Sequence, residues 1–183
     1  MSILKINPEN RQQVKRFLDL PFAIYRDIPQ WVPPLASEIA GMLNAQRHPF
    51  YRHSQAAFFL AQSASGEDLG RLAVLENRRH NDFNHERSAF FYLFECQPDA
   101  AIARELFGAG MEWARERGLE RLYGPKGFTA LDGMGLLVRG FEHRPAFGIP
   151  YNPAYYPQLL REMGFGASPE VLSGYLDRSV QFP

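Results

Sequence analysis

The alternation of apolar and polar positions begins at once. Ile3, Leu4 and Ile6 predict a short strand over Ser2–Asn7. Asn7-Pro8 then has the form of a helix start, an amide cap followed by proline at the first helical position. Val14, Phe17, Leu18 and the Pro21-Phe22 pair follow at spacings of three and four and give that helix one apolar face. Pro29, Pro33 and Pro34 interrupt the chain around Trp31. Leu35, Ile39, Met42 and Leu43 predict a second short helix over about 35–45. Gln55–Ser63 and Leu69–Glu76 read as a hairpin about Ser65-Gly66-Glu67-Asp68. Asn77–Arg87, rich in Asn, His and Arg, reads as a solvated loop. Ser88–Cys96 (SAFFYLFEC) is nearly continuously apolar and aromatic, the pattern of a central strand buried on both faces.

The clearest helix spans Asp99–Arg117. Asp99 stands at the cap, Ile102, Leu106, Met111, Trp113 and Ala114 recur at near-helical spacing, and Gly118 closes it. Leu119–Tyr123 is a further strand, and a last helix over about Pro153–Met163 stops at Gly164 before a final strand, Val171–Asp177. Between them, 124–150 is rich in Gly and Pro; a structureless segment of that length in a compact domain usually serves function. The order of elements is that of an α/β domain.

Composition narrows the function classes. The 183 residues suit one domain, and 45% apolar content supports a core. Lys plus Arg equals Asp plus Glu at 20 each, which gives no electrostatic case for nucleic acid or an anionic membrane. One cysteine, Cys96, excludes an intrachain disulfide and a cysteine zinc cluster and points to a reducing compartment. No apolar run approaches the ~20 residues of a membrane span, and MSILKINPEN lacks a secretory leader's apolar stretch. His80 and His85, five apart beside Asp82 and Glu86, fit a solvated loop better than a metal site. Cys96 reads as a buried core thiol, and Gly124-Pro125-Lys126-Gly127 lacks the spacing of a phosphate-binding P-loop. Aromatics reach 14%, concentrated in the hairpin and central strand, around Trp31 and Phe50, and between Phe141 and Tyr156; the last two groups suggest the wall of a pocket.

Two signatures resemble the GNAT N-acetyltransferase superfamily: the strand–helix–strand unit 90–124, with its ending EWARERGLERLYG, and LLREMGF, a last helix closing in Gly164-Phe165. More narrowly, the chain resembles the N-terminal domain of a GNAT-like family of larger bacterial proteins. The matching points are Trp31-Val32-Pro33-Pro34-Leu35, His48-Pro49-Phe50, Gly70-Arg71, Phe94-Glu95, Gly124-Pro125, Gly135-Leu136-Leu137-Val138, Gly140-Phe141, Tyr151-Asn152-Pro153 and Tyr155-Tyr156. The resemblance implies a mixed, splayed central sheet of about six strands with helices on both faces. It implies a cytoplasmic domain, 1–183, that moves an acyl group from acetyl-CoA or a longer acyl-CoA to a small-molecule or lipid amine without a metal. A second domain after Pro183 and a homodimer are compatible with it.

Carried residue by residue, the resemblance also shows departures. The superfamily binds the coenzyme A pyrophosphate on bare N–H groups of a loop of the type Arg-x-x-Gly-x-Gly/Ala. That loop falls on Pro98–Ala103 (PDAAIA), where Asp99, Ala101 and Ala103 take the glycine positions. Pro98 lacks a donor and Asp99 is negative, so internal capping by Asp99 competes with anion binding. The backbone of Leu93 and Phe94, up to Glu95, stands where the superfamily's bulged strand faces the thioester. The superfamily's thiolate-protonating tyrosine is replaced by Leu160, while Tyr155 and Tyr156 lie one turn earlier and offer either that acid or packed, hydrogen-bonded phenols. A general base needs a pKa drawn toward neutrality. Glu95 at the end of the apolar strand is the first candidate, against a carboxylate tied to loop N–H groups, and Asp132 the second, against an Asp-Gly turn. If the acyl chain is long, the aromatic strand and the Gly/Pro segment are placed to line an apolar channel. The rival reading is a non-catalytic binding or scaffolding domain.

Overall fold

The strand that organises the molecule is SAFFYLFEC, and the computed structural model, which describes residues 1–129, 131–146 and 148–174, places it inside a mixed sheet. The elements are β1 (Ser2–Lys5), α1 (Arg11–Ile24), α2 (Ala36–Leu43), a short 3-10 turn (Pro49–Arg52), β2 (Gln55–Gln62), β3 (Asp68–Glu76), α3 (Arg78–Asn84), β4 (Ser88–Cys96), α4 (Ala100–Arg115), β5 (Arg121–Tyr123) and α5 (Tyr156–Glu162). Sheet order follows chain order, β1-β2-β3-β4-β5, antiparallel except for the parallel pair β4/β5. Its two faces bury separate clusters. Leu72, Val74 and Phe91 pack under α4 and α5 with Leu106, Phe107 and Tyr156. Ala73, Leu75 and Phe90 pack under α1 and α2 with Phe17, Ile39 and Leu43. A near-continuous apolar β4 is what burial on both faces requires.

Two local irregularities shape β4. Arg71 pairs with Glu95 but Ala73 pairs with Tyr92, so β4 holds one residue more than β3 over this stretch. The extra residue is accommodated at Leu93, which takes the left-handed φ of 51°. The second irregularity is the brevity of β5, which pairs only Ser88–Phe90 with Arg121–Tyr123. Beyond Tyr123 the chain turns through a cis Gly124-Pro125 bond and Lys126 N–H donates to Phe91 C=O at 2.9 Å. A Cβ at Gly124 would stand 2.5 Å from that carbonyl oxygen, so only glycine lets the chain leave β4 here. From Tyr92 to Cys96, therefore, no strand among the described residues lies beside the outer edge of β4.

Several expectations need correction. The helix cap is Asn10, whose Oδ1 accepts from Gln12 and Gln13 N–H at 3.1 and 3.2 Å, while Asn7 closes the turn before it. Asn77–Arg87 is not a bare loop but contains α3. Its residues are polar because they serve backbone: Asn77 caps His80 N–H, His85 ends the helix in the left-handed conformation, and buried Asn81 bridges both backbone groups of Ser88. Leu119 belongs to the helix end, since its N–H donates to Ala114 C=O, and this shortens β5. The sheet has five strands rather than six among the described residues; Val171–Gly174 has no regular structure, and the rest of the predicted last strand, 175–177, lies outside them. Phe50 stacks on Phe128 at 4.1 Å in the core rather than lining a cleft.

α4 lies unusually close to the sheet. A Cβ on Gly110 would meet Val74 Cγ2 at 2.7 Å and Leu72 Cδ2 at 3.1 Å. Gly110→Ala should therefore destabilise by about 1–2 kcal/mol, because overpacking outweighs the better helix propensity of alanine. Thermal denaturation checks this, and a variant more stable than the parent would refute the close contact.

Candidate functional site

The edge of β4 left open by β5 is met by α5. Tyr155 O–H donates to Cys96 C=O at 2.6 Å, and Cys96 N–H donates to the Tyr156 hydroxyl at 2.8 Å. Tyr156 O–H in turn donates to Glu95 Oε2 at 2.8 Å. Strand alternation that turns Cys96 backbone groups toward the opening turns those of Phe94 the same way. Glu95, between them, projects to the opposite face, where Arg71 Nη2 stands 3.7 Å from its Oε1. Tyr25, the residue that ends α1, faces the same carboxylate.

Glu95 is 13% exposed and Arg71 3%, so this is an ion pair withdrawn from water. Burial pushes the Glu95 carboxyl above its ordinary range; Arg71 and the hydroxyls of Tyr25 and Tyr156 pull it back only partly. Burial raises both phenols at the start of α5, and the nearby Glu95 charge adds to this, so Tyr155 and Tyr156 stay protonated. Cys96 is fully buried and its thiol is pushed up to about 12, chiefly by burial, which removes it as a nucleophile.

Of the residues singled out from sequence, Glu95, Tyr155 and Tyr156 meet at this point, with Leu93 at the bulge and Phe94 on the open edge. Tyr156 is 1% exposed and both its hydrogen bonds are internal, whereas Tyr155 is half-buried on the open edge. Asp132 stands apart from this carboxylate. Its side chain accepts from Thr129 N–H, its carbonyl accepts from Tyr92 O–H, and it makes a turn. At the start of α4, the Asp99 carboxylate accepts from Ala101 N–H at 2.7 Å, and Ala103 is buried in the core. The helix N-terminus where a pyrophosphate would sit is thus occupied by the protein's own anion, with proline before it.

Sequence reasoning missed Arg71 and Tyr25 as members of the site. The signal for Arg71 was an arginine in register with Ala73 and Leu75 on a buried strand. Tyr25 had no local signal. It is stacked on Trp31 with ring centroids 4.4 Å apart, and Phe22 meets Trp31 edge-on at 5.4 Å. This aromatic group is tied to the 124–150 segment and the residues after it: Arg144 donates to Pro29 C=O at 3.0 Å, and Tyr25 O–H to Tyr151 C=O at 3.3 Å. Asn152, buried, holds both backbone groups of Leu137. Among the described residues no three His, Cys, Asp or Glu side chains gather where they could hold a metal, and no helix is long and apolar enough to cross a membrane.

No family model matches the chain. Bacterial ceramide synthase from Caulobacter vibrioides is 27% identical over 172 residues, covering 93% of this chain and 44% of that protein. The chain spans less than half the length of the curated relatives it matches. Among solved structures, a tandem GNAT protein from the clavulanic acid biosynthesis pathway superposes with a TM-score of 0.58 at 16% identity, over 89% of this chain and 43% of that one. An aminoglycoside acetyltransferase from an uncultured soil metagenomic sample, solved with sisomicin, gives 0.56 at 13% identity, over 96% and 95%. The mixed sheet, with its bulged central strand and its short parallel last pair, is that of the GNAT N-acetyltransferase fold.

Proposed function

We propose that this chain is an N-acyltransferase domain that moves an acyl group from a thioester to an amine. The observation that carries the reading is the buried Glu95 carboxylate, held by Tyr156 and Arg71 beside the open edge of β4. A thioester carbonyl laid along that edge faces the Phe94 N–H, a donor for the oxygen as it gains charge. Glu95 takes a proton from the bound ammonium, and the neutral nitrogen so formed bonds to the carbonyl carbon and sheds its second proton to solvent as the amide forms. When the carbon–sulfur bond breaks, Tyr155 gives its proton to the departing thiolate. Tyr156 stays in place and holds Glu95; Asp132 holds its turn and takes no part. Alignment of thioester and amine supplies the rest of the acceleration.

The donor is proposed to be a coenzyme A thioester held by its pantetheine arm, because the start of α4 does not fit a pyrophosphate. Asp99→Asn keeps the cap hydrogen bond and removes the charge. It should tighten coenzyme A binding severalfold with little change in thermal stability, which calorimetric titration reads; unchanged affinity would place the phosphates elsewhere. The acceptor is proposed to be a lipid amine. A ceramide is the amide of a fatty acid and a long-chain amino alcohol, and the relative of that name shares nearly the whole length of this chain. Phe22, Val32 and Leu35, exposed around Trp31, give the amine's tail an apolar surface.

The internally capped helix favours one other reading, a GNAT-fold domain that binds without catalysing. One experiment separates the two. The protein is titrated with acetyl- and palmitoyl-coenzyme A, then incubated with each and with short- or long-chain amines while free thiol is measured. Amine-dependent thiol release supports the enzyme. Folded protein that binds neither thioester and releases no thiol refutes it.

A further inference from the structure

We propose that Arg71 is a positioning residue of this site, a buried guanidinium whose task is to hold the Glu95 carboxylate in place and charged. The proposal rests on the reading of Glu95 as the base. Arg71 sits in the middle of the sheet, directly across from Glu95 in the β3/β4 register. Its Nη1 donates to Phe17 C=O of α1 at 2.7 Å, its guanidinium lies 4.9 Å over the Phe17 ring, and its Nη2 is 3.7 Å from Glu95. Its Nε is buried and has no hydrogen-bond partner among the described residues.

Packing does not explain an arginine here. Its neighbours along the strand on this face are Ala73 and Leu75, and an unbranched apolar side chain would fill the same space without bringing a charge out of water. A guanidinium kept for hydrogen bonding alone would be saturated, yet this one leaves a buried donor unspent. The feature that requires it is Glu95. Among the described residues the other groups facing that carboxylate are neutral: Tyr25 at the end of α1, Tyr92 and Cys96 from β4, Tyr155 and Tyr156 at the start of α5. Burial alone drives Glu95 toward the protonated form, in which it cannot accept a proton. Arg71 is the cation that opposes this. Through Phe17 it is anchored to α1, the helix that ends in Tyr25 beside the aromatic mouth.

The test follows Glu95 itself as well as turnover. Protein labelled with 13C at the glutamate carboxyl is titrated by NMR, the Glu95 signal being the one lost in Glu95→Gln. In folded Arg71→Met the Glu95 midpoint should rise by at least about one pH unit, a tenfold gain in proton affinity. The base-dependent limb of the pH–rate profile for thiol release should rise by the same amount, and Arg71→Lys should restore most of both. A folded Arg71→Met whose Glu95 titrates as in the parent overturns the proposal. If Arg71→Met does not fold, Arg71→Met/Glu95→Gln decides: recovered folding ties Arg71 to the Glu95 charge, and continued failure makes it a packing element and overturns the proposal. A shifted titration in a protein that never releases thiol leaves the role of Arg71 standing and removes the acyltransfer reading instead.

Discussion

Glu95→Gln is expected to lower kcat for acyl transfer by about 10²–10⁴-fold while leaving the fold and thioester binding intact, the usual range for loss of a positioned proton acceptor. The substitution is nearly isosteric, and its carboxamide oxygen still accepts the Tyr156 hydroxyl, so the surroundings of α5 change little. The amide cannot take the amine's proton, and only amine already neutral in solution can then react. The residual rate should therefore climb with pH through the acceptor's own pKa, where the parent has levelled off. Some stability will be lost as well, since Arg71 keeps its buried charge and loses the carboxylate that faces it. Steady-state kinetics over pH, with circular dichroism to confirm folding, separate the two effects. Full transfer by a folded Glu95→Gln would remove Glu95 as the base.

The fold was legible where local pattern decides structure. The β2/β3 hairpin, β4 and α4 follow from alternation, aromatic content, the Asp99 cap and the stop at Gly118. α3 was not, because 77–87 has no apolar stripe; it folds through Asn77, Asn81 and His85, whose backbone duties leave no periodicity to read. The site was legible as separate residues but not as an assembly. Glu95 and Tyr156 are 61 positions apart, and nothing in their spacing says that one bonds to the other. Arg71 stayed hidden for a sharper reason. Its pairing with Glu95 depends on the extra residue at Leu93, and a register counted without that bulge faces Arg71 with Phe94. The placement of Phe94 on the open edge rests on the same residue. The bulge thus sets which side chain meets the arginine and which backbone faces the opening.

Tyr156→Phe should destabilise the protein by about 3 kcal/mol, combining a hydrogen bond to a charged group with a backbone donor left unpaired in the interior. The phenol is buried, its hydroxyl gives a proton to Glu95 and accepts one from Cys96 N–H, and phenylalanine fills the ring's space while dropping both contacts. For a chain of this size that amounts to a fall in Tm of roughly 10 °C. The loss should also depend on pH. The hydroxyl favours the ionised form of Glu95, so removing it raises further a carboxyl whose folded-state pKa already lies above its unfolded value. Such a group binds its proton more tightly in the native state, and its contribution to stability declines as pH rises through the folded-state pKa. In Tyr156→Phe that decline begins at the same unfolded-state value but continues to higher pH, and so runs deeper. The deficit against the parent is accordingly largest at neutral and alkaline pH and narrows on acidification toward the unfolded carboxyl's value of about 4.3. Paired melts of the two proteins from pH 5 to 8 read this directly. A deficit independent of pH would mean that the hydroxyl serves Cys96 alone, and the bond that places α5 on the Glu95 carboxylate would have no energetic weight.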